Sequence, residues 1–177
     1  MQHAHPLDEL LEQSELACDL VHGERLRDRA VRESGHDTTY RLEKRCANLA
    51  TVDLNALLHK FEIDFATTIR DLYGDRFEMA DGTIVTSEKY FALAEHRRAH
   101  IDRYCWDEAT GLYYDYDIKQ KTRSTYESVT ALWMLWAGAA SKEQAERLVK
   151  SALERFEVTG GLVSGTEASR GAIALDR

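Results

Sequence analysis

Proline is almost missing from this 177-residue chain; the single one is Pro6. Proline removes a backbone donor and clashes with the preceding turn, so nothing after the first few residues forbids long helices. Cysteine is scarce as well. Cys18, Cys46 and Cys105 are odd in number, widely spaced and form no Cys-x-x-Cys pair, which argues against both a disulfide framework and a thiolate metal site. Reduced thiols are the expected state, as in cytosolic proteins. An excess of basic charge is also lacking. Lys and Arg number 23 against 31 Asp and Glu, a net charge of −8. Nucleic acid and anionic membrane surfaces call for the opposite balance, so neither is an expected partner. No apolar run approaches the roughly 20 residues of a transmembrane helix. Met1–Leu10 is polar, without the apolar core of a signal peptide.

What is present suggests one domain at most. Hydrophobic residues make up 44% of the chain, and a chain of this length buries about two-thirds of its surface. The apolar spacing is mostly helical. Leu7, Leu10, Leu11, Leu16 and Leu20 suggest a first helix, interrupted near Gly23. Leu54, Leu57, Leu58, Phe61, Phe65, Ile69 and Leu72 fall three or four apart and predict a second helix to Tyr73, with Asp53 as N-cap and Gly74 as stop. A third is expected over Ser87–Tyr104. Gly111 then precedes Leu112-Tyr-Tyr-Asp-Tyr-Asp117, which reads as one small hairpin. Helical character returns over Glu127–Trp136 and ends at Gly138. Ser141 and Gln144 form a capping box that opens a helix to Phe156. Gly160-Gly161 is a turn. About five helices with long links and no repeated intervening strand exclude a parallel α/β fold and fit helix pairs packed side by side, with functional residues on the connecting loops. Trp133 and Trp136 are expected to pack in the core.

The stretch richest in chemistry is Arg32-Glu-Ser-Gly-His-Asp-Thr-Thr-Tyr-Arg41. Taken alone it permits several readings. His36 and Asp37 could be part of a nucleophilic triad, although Ser34 lacks an elbow context. They could ligate a metal, although no second histidine follows at helical spacing. Asp37 could equally be one half of an ion pair with a nearby arginine.

The same run resembles the signature of the trehalase family, a Glu-Ser-Gly-aromatic-Asp block before a hydroxyl pair, with His36 in the aromatic position. In its form His-Asp-Thr-Thr-Tyr-Arg41 it is most similar to the fungal neutral trehalases. Further blocks follow in family order: Thr51-Val-Asp-Leu-Asn-Ala-Leu-Leu58, Tyr104-Cys-Trp-Asp-Glu108, Gly111–Asp117, Ser124–Ser128, Leu135–Gly138, Ser141–Ala145 and Gly160–Glu167. The resemblance covers residues 28–177, a partial trehalase catalytic domain, and leaves 1–27 as a divergent N-terminal segment.

The resemblance implies an all-α fold, an incomplete (α/α)6 toroid of helix hairpins with one short β-hairpin. It implies a cytoplasmic glycoside hydrolase that cleaves trehalose to two glucoses with inversion, without cofactor or metal. Asp37 maps onto the family's general acid. Gly35 maps onto a position where backbone meets the sugar, which suits a residue with no Cβ. An inverting enzyme also needs a general base, a second carboxylate about 6.5–9.5 Å from the acid. In the family it lies downstream of the blocks matched here, so the chain is expected to be an inactive fragment. Asp115, Asp117 and Glu167 are not expected to replace it. The alternative is a non-catalytic homologue that associates with a full-length trehalase.

Overall fold

The computed structural model describes residues 41–42 and 45–170. The chain divides into two compact units, Met1–Leu49 and Ala50–Arg177. Of the first, the described part is a pair of tight turns. Arg45 donates its backbone N–H to the Leu42 carbonyl at 2.6 Å and Asn48 donates to Arg45 at 2.7 Å, the second closing a 3-10 turn over Cys46–Asn48. The first helix expected from the sequence lies outside the described residues.

The second unit is mostly helical. Helix α1 runs Val52–Tyr73, from Thr51 to a left-handed Gly74. It therefore starts earlier than expected. Asp53 is not the cap but sits inside the first turn, where its carboxylate accepts the Leu54 N–H at 2.8 Å. Strands β1 (Arg76–Glu78) and β2 (Ile84–Thr86) form a hairpin that returns the chain into α2, Ser87–Tyr104. The two helices are antiparallel. Glu62 and Arg97 pair across them at 2.7 Å, and Phe65 meets Tyr90 ring to ring at 5.5 Å.

The next segment, expected to be one hairpin, is two. Strand β3 (Trp106–Asp107) pairs with β4 (Leu112–Tyr113), and β5 (Tyr116–Asp117) pairs with β6 (Thr122–Arg123). The 112–117 run is thus shared between neighbouring hairpins, and between them the Asp115 side chain reaches the start of α1. A 3-10 turn, Val129–Leu132, leads into the short helix α3, Trp133–Trp136. Helix α4, Lys142–Phe156, opens on the expected capping box. Gln144 donates its N–H to Ser141 Oγ, and its side chain accepts the Ser141 N–H at 2.8 Å. Strands β7 (Glu157–Val158) and β8 (Gly161–Leu162) make a fourth hairpin, and Glu167–Arg170 forms the last short helix, α5. Four hairpins among the described residues replace the single one expected.

The core gathers Val52 and Ala56 of α1, Ile101 of α2, Trp106, Leu112 and Tyr113 of the hairpins, Met134 of α3, and Leu148 and Phe156 of α4. The apolar residues that predicted α1 are mostly not in it: Leu54, Phe61, Phe65 and Leu72 are exposed. The buried face of α1 carries Val52, Ala56, His59, Ala66 and Ile69. Trp133 and Trp136, expected in the core, are 39% and 55% exposed, because α3 turns Met134 inward instead.

Candidate functional site

The two residues assigned to chemistry by resemblance, Gly35 and Asp37, lie outside the described residues, as does the rest of Arg32–Tyr40. Arg41, which ends that run, is buried. The described residues include the entrance to α1 and the carboxylates around it.

Asp115 is buried, and its Oδ1 accepts the Val52 N–H at 2.9 Å. The first amides of a helix have no partner within it. Thr51 stands at the N-cap but makes no side-chain capping bond, so a carboxylate 63 residues away provides that acceptor. The negative charge also suits the positive end of the helix dipole. The backbone of Asp115 is fixed as well, since its carbonyl accepts the Ser124 N–H at 2.7 Å. The preceding Tyr114 donates to the Cys105 carbonyl at 2.9 Å.

The neighbouring carboxylates are similarly engaged. Asp117 is fully buried and accepts the Gln120 N–H at 2.8 Å, which sets the β5–β6 turn. Asp107 accepts from the Thr110 hydroxyl at 2.8 Å and from Arg123 at 3.1 Å. The Thr110 hydroxyl, more than any other neighbour, holds its carboxyl below the usual carboxylate range. Glu127 accepts from Arg155 at 3.0 Å and from the Thr166 hydroxyl at 2.9 Å, tying α4 to the chain before α5. Glu167 lies at the start of α5. Asp115, Asp117, Asp107 and Glu127 each close a turn, a helix end or an ion pair. Among the described residues no group of three or more His, Cys, Asp or Glu could hold a metal ion.

Burial pushes the Cys105 thiol up to about 12, which suppresses its reactive thiolate form. One residue absent from the sequence-based expectations is His59, which is buried on α1 with Nδ1 unpartnered. A lone histidine on an apolar helix carries no local signal, and only the surrounding packing shows its position.

No helix among the described residues is long and apolar enough to cross a membrane. The profile of the family described as trehalase matches residues 9–177. The chain is 55% identical over 152 residues to a cytosolic neutral trehalase of Kluyveromyces lactis and 52% identical over 153 residues to a probable trehalase of Saccharomyces cerevisiae. Each match takes in 86% of this chain and 20% of the relative. The solved structure of neutral trehalase Nth1 from Saccharomyces cerevisiae superposes with a TM-score of 0.80 at 50% identity, covering 85% of this chain and 28% of that one. The chain thus spans about a fifth of the length of these curated relatives. With a family profile that runs over nearly the whole sequence and a matching helical fold at this level of identity, the chain belongs to the trehalase family.

Proposed function

We propose that this chain is part of the (α/α)6 catalytic toroid of a cytosolic α,α-trehalase, and that it supplies the acid side of the trehalose-cleaving site. Asp37 is the general acid, and Gly35 lets the backbone approach the sugar. The observation that carries this reading is 55% identity over 86% of the chain to a protein named as a cytosolic neutral trehalase. In the reaction the bond from anomeric carbon to bridging oxygen breaks as Asp37 gives that oxygen its proton. A water adds to the carbon from the opposite face, and a second carboxylate takes the water's proton. Asp37 must hold its proton at working pH, so its site has to raise its pKa from an ordinary value of about 3.9.

The base is not to be found among the described carboxylates near α1 and α4, which are fixed as caps, turn closers and ion-pair partners. It comes from elsewhere in the longer protein. Two experiments test this. Incubated by itself with trehalose, the chain should release no glucose above background; clear turnover abolished by Asp37→Asn would show that the base is present after all. Residues 28–177 exchanged for the matching region of the Kluyveromyces lactis enzyme should give an active chimaera. There Asp37→Asn should cost on the order of 10²–10⁴-fold. The loss should be much smaller with α-glucosyl fluoride, whose leaving group needs no proton. A variant that keeps half its rate on trehalose would remove Asp37 from the role.

A second reading is a non-catalytic homologue that associates with a full-length trehalase. The exposed Leu54, Phe61, Phe65 and Leu72 on α1 favour it. Co-sedimentation with a full-length trehalase separates the two.

A further inference from the structure

His96 and His100 stand about one turn apart in the body of α2, which runs Ser87–Tyr104. Residues four apart on a helix share a face, with Cβ atoms about 5–6 Å from each other. The two rings meet there: their centroids are 4.2 Å apart and their planes cross at 89°. Ring contacts continue along the same side, from His100 to Tyr104 at 5.9 Å and from Tyr104 to Tyr116 of β5 at 4.9 Å. Both histidines are half-buried. They lie roughly 120–160° around the helix from Ala94, which α2 buries.

The arginines that flank the pair are held by other groups. Arg97 grips both carboxylate oxygens of Glu62, 2.7 to 3.1 Å away. Arg98 pairs with Glu95 and, at 3.2 Å, with Asp102. Arg103 lies over the Tyr104 ring, 5.1 Å from its centroid. The two imidazoles thus present nitrogen donors side by side on a rigid backbone. Two histidines at this spacing on one helix face are a recurrent way of holding zinc.

We propose that His96 and His100 form a two-point site for a first-row transition-metal dication, with zinc as the ion that fits. Imidazole nitrogen suits zinc, copper and nickel, whereas calcium and magnesium seek oxygen. Tetrahedral zinc with Zn–N distances of about 2.0–2.1 Å sets two imidazole centroids about 5 Å apart. The rings need to separate by only about 1 Å from where they stand, which side-chain torsions supply while α2 stays helical. Once one nitrogen has bound the ion, the second binds it as an intramolecular step at high effective concentration. Among the described residues no third His, Cys, Asp or Glu joins the pair, so water fills the remaining positions and the ion exchanges. Its effect is to clip two successive turns of α2 and to fix the end of the ring series that reaches β5.

The test is calorimetric titration of the full chain with zinc, and with calcium as the comparison ion. Zinc should bind and calcium should not. His96→Gln and His100→Gln should each weaken zinc by about 100-fold or more, the advantage that a second attachment supplies. Circular dichroism should show the helix unchanged in both, because glutamine is a good helix former. His3 and His5 offer nitrogen donors of their own near the start of the chain; the variant H3Q/H5Q should leave the affinity in place. Zinc held as tightly by either single variant as by the natural chain, binding lost in H3Q/H5Q, calcium binding that matches zinc, or no zinc binding at millimolar concentration overturns the proposal. Should a glutamine variant fail to fold, NMR of the natural chain decides the matter. Zinc that shifts the ring signals of His96 and His100 together supports the site; a shift confined to one of them, or absent from both, refutes it.

Discussion

Asp115 shows how much one side chain can fix in this molecule. Its carboxylate joins the β4–β5 connection to the first turn of α1 at 2.9 Å, buried from water. A hydrogen bond to a charged group contributes about 1.5–3 kcal/mol net, and stranding the buried donor adds its desolvation cost. Asp115→Ala should therefore lower stability by about 2–4 kcal/mol, read as a fall in the urea midpoint at unchanged slope. Asp115→Asn keeps an acceptor oxygen and should recover part of the loss. Equal losses in both variants would mean that the charge, rather than the capping bond, matters. Asp117 and Asp107 do comparable work over shorter spans, closing turns three residues long. Asp107, Asp115 and Asp117 thus each hold a turn or a helix end in place.

At the scale of elements, helix α4 and the β3–β4 hairpin meet through Gly111. That residue has φ +67, and a Cβ on it would lie 2.9 Å from Ser151 Oγ. Gly111→Ala should cost roughly 1–2 kcal/mol from the left-handed backbone alone, with more from the contact. Ser151→Ala relieves the contact but also removes the Ser151 hydroxyl's bond to the Thr110 carbonyl at 2.8 Å, so the reference is Ser151→Ala alone: a double variant that melted with that single variant would refute the backbone share. The helices were largely legible in the sequence. The α2 bounds, the α4 capping box and the Gly74 stop all follow from spacing and end chemistry. The faces were not. Spacing weights large side chains, yet among the residues α1 and α2 bury most completely are the small Ala66 and Ala94. Six of the eight hairpin strands have only two residues, too short for an alternating pattern to appear. The roles proposed for Asp37 and Gly35 rest on resemblance alone, because nothing in the sequence of a polar loop distinguishes a catalytic acid from an ion-paired one.

At the scale of the whole molecule, the exposed side of α1 is the dominant feature. Leu54, Leu58, Phe61, Phe65, Thr68 and Leu72 are spaced alternately four and three apart, a narrow seam of the kind that packs against another helix. Leu72 is 74% exposed. A helix that is apolar on two faces is normally covered on both, and the matched relatives are about five times as long as the region they share with this chain. The chain on its own should therefore bind ANS and self-associate, and Phe61→Glu with Phe65→Glu should restore a monomer. A natural chain that sediments as a monomer and leaves ANS dark would refute this. The Val52–Asp115 bond also has a consequence in time. Synthesis proceeds at about 5–20 residues per second, so on the ribosome Val52 is made roughly 3–13 s before the carboxylate that caps it, 63 residues later. During that interval the opening turn of α1 has only its local bonds, such as Leu54 N–H to the Asp53 carboxylate, and the Val52 N–H has only water to accept it until Asp115 has been made.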